Sequence, residues 1–429
     1  MEERGKLARE AGIKLAATDT KTRNQALLAI AKGLETHKAE ILAANEADLK
    51  RSQAENLAAP LLKRLVFNEV KINDVIDGIN SLVELNDPLG ATKLATELDQ
   101  GLDLYKVTCP IGVIGVIFES RPDAFVQIST LCLKSGNSVL LKGGREALET
   151  NRMLCKVIED ATLSAGIPKG FIQNLESRDE VNAMLALDNY IDLIIPRGSN
   201  EFVQYIMNHS NIPVMGHADG ICHVFVDDDA QIPMAIDLIV DSKTQYVAAC
   251  NTLETLLVHE SVAKDLLPPL KKALEAKNVH LKGDAKVLKI IDIEAATEED
   301  WKTEYLDYIL SIKIVPDLIS AINHINTYGS GHTDVIITND NEAVKTFMTL
   351  VDSAGVFHNC STRFSDGFRF GFGAEVGIST SKLHARGPVG LDGLLSYKYK
   401  LLGHGQCVSD YASGQSHFTH QPKNTDCPV

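Results

Sequence analysis

No uninterrupted apolar run in the 429 residues approaches the roughly 18 that would suggest a membrane span. The opening MEERGKLAREAGIKLAA carries two early glutamates and a helical apolar spacing, unlike a secretory signal or an acid-poor transit peptide. An excess of basic residues is missing as well. Lys and Arg total 42 against 57 Asp and Glu, a formal charge of −15 that argues against nucleic-acid or anionic-membrane partners. The eight cysteines include no CxxC pair and no Cys/His cluster at zinc-finger spacing, so no metal is expected. In a chain of this length they read as reduced thiols of a cytoplasmic protein. Internal repeats and low-complexity blocks are absent too. What is present, 45% hydrophobic and 23% charged, is an enzyme-sized globular chain with room for two or three domains.

The stretch to about Pro88 is helical in pattern, with apolar residues three and four apart in ALLAIAKGLETHKAEILAAN and Thr20 or Thr22 as a cap. ATKLATELDQGLDLYKVTCP then turns β-rich, and Asp99-Gln100-Gly101 predicts a hairpin turn. A lone hairpin is marginal in water, so this one needs a packing partner, with another subunit as one candidate. From Ile111 short apolar runs alternate with helical stretches: GVIGVIF, SVLLK, FIQNLE, DLIIP and CHVFVD. That alternation predicts βα units around a parallel sheet, in a doubly wound nucleotide-binding domain ending near Asp227 to Asp229. A second α/β domain follows to about Leu391, then a strand-like LLSYKYKLLG and a polar tail from Ser413.

Four segments are candidates for chemistry. Cys250 sits in AACNTLET, where small neighbours would admit a carbonyl carbon to the sulfur and a backbone N–H could meet the oxyanion; a buried core thiol is the competing reading. In NSVLLKGGREALETNRML a strand ends at Lys142, Gly143 and Gly144 allow close backbone approach, and Arg145 precedes a helix. Two cations at such a turn suit a phosphomonoester, although the GxGxxG fingerprint is absent and exposed basic residues at an ordinary turn would look alike. PRGSNE offers Gly198 and Ser199 to a pyrophosphate in the same kind of turn. HNCSTRFSDGFRFGFGAEVGISTSKLHARGPVGL interleaves glycine with aromatics, Arg363, Arg369 and Arg386, a long loop suited to a small anion.

Taken together, GVIGVIFESRPD, SGNSVLLKGGREA, DLIIPRGSN, IPVMGHADGICHVFVD, AACNTLETLLVH, AINHINTYGSGHTDVII and STRFSDGFRFGFGAEVGISTSKLHARGPVGL make the chain, from its first helices to about Gly405, resemble one family. That family is the gamma-glutamyl phosphate reductases, or glutamate-5-semialdehyde dehydrogenases, of the aldehyde dehydrogenase superfamily.

The resemblance implies an α/β, aldehyde dehydrogenase-like fold. Residues 1–90 and 110–225 would form a Rossmann-like cofactor-binding domain and 226–392 an α/β catalytic domain. Residues 91–109 and 393–412 would form a β-hairpin oligomerisation element of a homo-oligomer, and 413–429 a mobile tail. It implies NADPH-dependent reduction of L-glutamyl 5-phosphate to L-glutamate 5-semialdehyde and phosphate, the second step of proline synthesis. A separate glutamate 5-kinase is expected to make the substrate.

In that scheme Cys250 attacks the acyl phosphate, phosphate leaves, and a thioester is reduced by hydride. Arg121, His217 and Asn251 are candidates for oxyanion or phosphate contacts. The superfamily's water-activating glutamate falls here on Gly216, beside His217, which spares the thioester from hydrolysis. Lys142, Gly143, Gly144, Arg145, Gly198, Ser199 and Glu304 are implied at the cofactor; Arg145 in place of a ribose-binding glutamate favours NADPH over NADH. Ser361, Thr362 and Arg363 are the candidates for the substrate's anionic group, and Glu119, Asp219 and Glu375 are open choices for its ammonium. His332, in SGHTD, is expected to have a structural role in its loop.

Three rivals remain at this point: another acylating or oxidising dehydrogenase, a non-redox acyltransferase or hydrolase using Cys250 with His217, and a catalytically dead scaffold. The candidate segments are locally basic, +2 over 106–146 and +3 over 361–400, within the acidic whole.

Overall fold

The computed structural model describes residues 1–198, 200–216, 219–372 and 375–429. The chain divides into two compact units, Met1–Met215 with Gly373–Gly377 and Val389–Val429, and Gly216–Phe372 with Ile378–Pro388.

Helices open the first unit. Thr20–Thr36 is capped by Asp19, whose carboxylate accepts the Thr22 N–H at 2.7 Å, rather than by either threonine. A carboxylate one position earlier reaches the free amides of the first turn and complements their positive end. The helix Glu69–Glu84 is capped the same way by Asn68. The apolar face of Thr20–Thr36, Ala26, Leu27, Ile30 and Leu34, is fully buried, so its 3.6-residue period is a packing surface.

A parallel sheet follows in the order Ile172–Asn174, Ser138–Lys142, Val113–Ile117, Leu193–Pro196. Its two central strands are buried at every residue, as a sheet covered on both faces requires. A separate antiparallel sheet runs Leu395–Leu402, Leu102–Pro110, Thr92–Asp99, Gln421–Pro422. Its hairpin turns at Gln100 and Gly101, where φ of +70° suits glycine. Residues expected to trail as a mobile tail are laid along the Thr92–Asp99 strand. Thr96 pairs with Pro422 and Glu97 with Gln421, while Lys423 reaches both Asp103 carboxylate oxygens at 2.8 Å.

The second unit is built on seven parallel strands in the order Glu294–Ala295, His280–Gly283, Ile309–Val315, Leu253–His259, Cys222–Val226, Thr333–Ile337, Gly355–His358. Cys222–Val226, expected to close the cofactor domain, is instead central to this sheet, between Leu253–His259 and Thr333–Ile337. An apolar run identifies a buried strand but not the sheet that will accept it. One face packs on the helices Ile232–Thr244 and Ala263–Glu275 through Leu256, Val258, Leu266, Leu270 and Ile312; the other packs on Leu318–Tyr328 and Asn341–Leu350 through Phe225, Leu257, Ile322 and Phe347.

Candidate active site

Three neighbouring strands of the second unit begin side by side, and the candidate site lies at their amino ends. Cys250 occupies the turn leading into Leu253–His259. The turn is fixed by Thr252 N–H on Ala249 O at 2.9 Å and by Thr252 Oγ1 on Tyr246 O at 2.8 Å. Gly220, two residues before Cys222–Val226, lies so close that a Cβ there would stand 2.1 Å from Cys250 O and 2.4 Å from its Cα. Cys222 is fully buried, and its thiol donates to Cys250 O at 3.2 Å. Burial pushes the Cys222 thiol well above its ordinary pKa, so it stays protonated and serves as that donor.

From the third strand start comes His332, 1% exposed, with Nε2 3.2 Å from Cys250 Sγ and Nδ1 2.8 Å from Thr333 Oγ1. The expected structural role in a loop gives way here to direct contact with the proposed nucleophile. Sequence reading missed it because the contact spans 82 positions and depends on a strand order that local pattern does not report. The available signal was a histidine just before a buried strand, behind the glycines of GSG.

Arg363 lies within electrostatic reach of Cys250, and Ser361 and Thr362 precede it in the chain. Arg363 is 8% exposed, donates Nε–H to Gln245 Oε1 at 2.9 Å and lies over the Tyr246 ring at 5.9 Å. Its Nη1 is buried without a hydrogen-bond partner among the described residues. Burial, helped by Arg369, lowers its pKa, and the Cys250 sulfur acts on it in the opposite sense, which places cation and thiol within electrostatic reach. Ser361 Oγ receives Arg363 N–H at 3.3 Å and shares the Ser242 hydroxyl at 3.2 Å, while Thr362 Oγ1 is buried with no hydrogen-bond partner among the described residues. The Asn251 amide donates to Ser365 O at 2.8 Å, holding the arginine loop, and its Oδ1 has no hydrogen-bond partner among the described residues. Buried polar atoms left without partners are costly, so an anion meeting Nη1 and the Thr362 hydroxyl would relieve a standing penalty.

Glu304 sits half-buried in the loop before Ile309–Val315. That loop is fastened by Tyr305 Oη, 2.7 Å from both Asp300 Oδ1 and Ser311 Oγ, and by Glu254 Oε1, which accepts the Leu306 N–H at 3.4 Å. Glu254 is itself buried against Lys243 at 2.6 Å, and burial pushes its carboxyl up to about 7.

The remaining candidates lie in the first unit. Lys142 ends its strand with Nζ on Gly143 O at 2.5 Å. A Cβ at Gly143 would meet Asn151 Nδ2 at 2.1 Å, and one at Gly144 the Glu146 carboxylate at 1.8 Å, so a larger residue at either would displace those side-chain ends. Arg145 is 79% exposed, 3.3 Å from Glu55, and Glu146 is held by Ser120 N–H at 2.7 Å. A strand end, bare backbone and an exposed guanidinium before the helix Leu148–Ser164 fit a nucleotide with an extra phosphate.

Gly198 faces Glu119, whose carboxyl is raised by burial and by Glu146. Arg121 pairs with Asp123 at 3.1 Å. Glu119 and Glu375 belong to this unit and Asp219 to the other; Ser199 and His217 lie outside the described residues. No group of three or more metal-ligating side chains occurs among the described residues.

Residues 2–288 match the model of the aldehyde dehydrogenase family. The gamma-glutamyl phosphate reductase of Acetivibrio thermocellus is 66% identical over 421 residues, 98% of each chain, and that of Ruminiclostridium cellulolyticum 64% identical over 96% of each. The crystal structure of gamma-glutamyl phosphate reductase from Thermotoga maritima superposes with a TM-score of 0.92 at 39% identity, covering 94% of this chain and 99% of that one. On this likeness along nearly its full length, the chain belongs to the gamma-glutamyl phosphate reductase family of the aldehyde dehydrogenase superfamily and is an oxidoreductase.

Proposed function

We propose that this chain reduces L-glutamyl 5-phosphate to L-glutamate 5-semialdehyde and phosphate with NADPH, the second step of proline synthesis from glutamate, through a thioester on Cys250. The observation that carries this reading is the half-buried Cys250 thiol with the Arg363 guanidinium in electrostatic reach, its Nη1 without a hydrogen-bond partner among the described residues. Cys250 attacks the acyl carbon, and its backbone N–H meets the oxyanion. Arg363, with the Ser361 and Thr362 hydroxyls, receives an anionic group of the substrate. Phosphate is a good leaving group once its departing oxygen carries a proton.

The turn Lys142-Gly143-Gly144-Arg145 and Glu304 hold the cofactor, Arg145 by charge complementarity with a 2′-phosphate. When bound there, NADPH supplies the hydride that reduces the thioester. Collapse of the resulting adduct on Cys250 then releases the semialdehyde and restores the sulfur. Eight cysteines that form no disulfide suit a reducing cytoplasm, where a separate glutamate 5-kinase would deliver the substrate to a homo-oligomer of this chain.

The test is phosphate-dependent reduction of NADP by glutamate semialdehyde. Wild-type protein should require phosphate, and Cys250→Ser should lower kcat by about a thousandfold or more. Activity surviving in Cys250→Ser, or far better turnover of succinate or aspartate semialdehyde, would overturn the assignment.

A further inference from the structure

We propose that His332 is a catalytic residue that takes the proton of the Cys250 thiol and hands it to the departing phosphate. This rests on the reading of Cys250 as the nucleophile. Three observations carry it. His332 Nε2 lies 3.2 Å from Cys250 Sγ, a direct contact with the reacting atom. Nδ1 lies 2.8 Å from Thr333 Oγ1, an acceptor for hydrogen on Nδ1 in the tautomer that turns the Nε2 lone pair toward sulfur. The ring is 1% exposed, so water does not compete for that lone pair.

The titratable neighbours Cys222, Asp334 and Glu254 make their main contacts elsewhere. Cys222 Sγ approaches Nδ1 only to 3.8 Å and spends its proton on Cys250 O at 3.2 Å. Asp334, the next carboxylate along the strand, accepts from His223 N–H at 2.8 Å, from His223 Nδ1 at 3.0 Å and from the Ser353 hydroxyl. Glu254 faces Lys243. Arg363, the cation in electrostatic reach of the sulfur, favours the thiolate.

The step balances without a further reagent. As Sγ attacks, the S–H bond gives its proton to Nε2, the S–C bond forms and the C–O bond to phosphate breaks. The imidazolium returns the proton to the leaving oxygen, so phosphate departs as hydrogen phosphate and neutral imidazole is restored. An ordinary thiol, pKa about 8.5, would hold only a few per cent of thiolate at pH 7; an imidazole in contact removes that handicap.

The test uses the protein without substrate or cofactor, so its failure is separable from failure of the proposed reaction. Iodoacetamide alkylation of Cys250, followed by mass spectrometry of its peptide across pH 5 to 10, reads the thiolate fraction directly. Wild-type Cys250 should alkylate with an apparent pKa well below 8.5, and His332→Gln should slow alkylation at pH 6.5 by about tenfold or more and move the midpoint to the ordinary thiol range. A purely structural histidine would alter stability while leaving that profile in place. A wild-type midpoint at or above 8.5, which needs no variant to measure, overturns the proposal, as does an unchanged profile in folded His332→Gln.

Discussion

His324, on the helix Leu318–Tyr328, is 6% exposed and lies among the rings of His223, Trp301 and Tyr328, with Nδ1 3.3 Å from Lys313 Nζ. Burial first, then His223 and Lys313, lower its pKa from 6.5 to about 2, so it stays neutral where an unfolded histidine would protonate. The unfolded chain therefore binds the extra proton between about pH 6.5 and 2. Stability contributed by neutral His324 is complete above 6.5 and declines as the solution is acidified, by at most about 1.4 kcal/mol per pH unit. Urea unfolding at pH 8, 6.5 and 4.5 should show His324→Phe less stable than wild type at pH 8, with Lys313 deprived of its acceptor, yet losing less on acidification. Equal acid losses in the two proteins would contradict the burial argument. His332 is also buried, just before Thr333–Ile337, but its contact is a thiol rather than aromatic rings and an amine.

The amino ends of Cys222–Val226, Leu253–His259 and Thr333–Ile337 converge because the sheet sets these strands side by side. The turn Lys142–Arg145 instead follows the carboxyl end of Ser138–Lys142, where open α/β sheets usually bind ligands. At the convergence, the absence of a side chain at Gly220 sets how near Cys250 can lie. A methyl group there would be 2.1 Å from Cys250 O, and the opposing atoms are backbone, so the turn itself has to move. Gly220→Ala should lower kcat/KM about a hundredfold, the usual cost of misplacing a reacting group by roughly 1 Å, while the protein still folds with a loss of about 1–3 kcal/mol. Steady-state kinetics beside thermal unfolding checks this. Activity within twofold of wild type would mean that another contact positions the sulfur.

The parallel sheets, the hairpin and the segments holding Cys250, Lys142–Arg145 and Ser361–Arg363 were legible in the sequence, since each has a local mark: period, turn chemistry, or a small-residue frame around a reactive group. Membership of a sheet was not, which is why Cys222–Val226 was assigned to the wrong neighbours and His332 was not connected to Cys250. The polar segment after Ser413 failed for a related reason. Composition favours mobility when a segment has nothing to pair with, but an exposed strand edge offers unpaired backbone to any chain within reach. Here that edge is Thr92–Asp99. It is covered by Gln421–Pro422, by Thr419 N–H on Leu98 O at 2.8 Å and Lys423 N–H on Ala95 O at 2.9 Å, and by the Tyr411 hydroxyl on Asp99 at 2.9 Å. Removing residues 413–429 takes away Lys423 and Asp426 together, so the formal charge stays at −15 and the repulsion that keeps an acidic chain dispersed is unchanged. Any new association of the truncated protein would therefore come from the bared edge rather than from altered charge. Light scattering over a concentration series should show larger, concentration-dependent species for the truncated chain and a constant size for the full chain. Identical behaviour of the two would mean that the Thr92–Asp99 edge needs no cover.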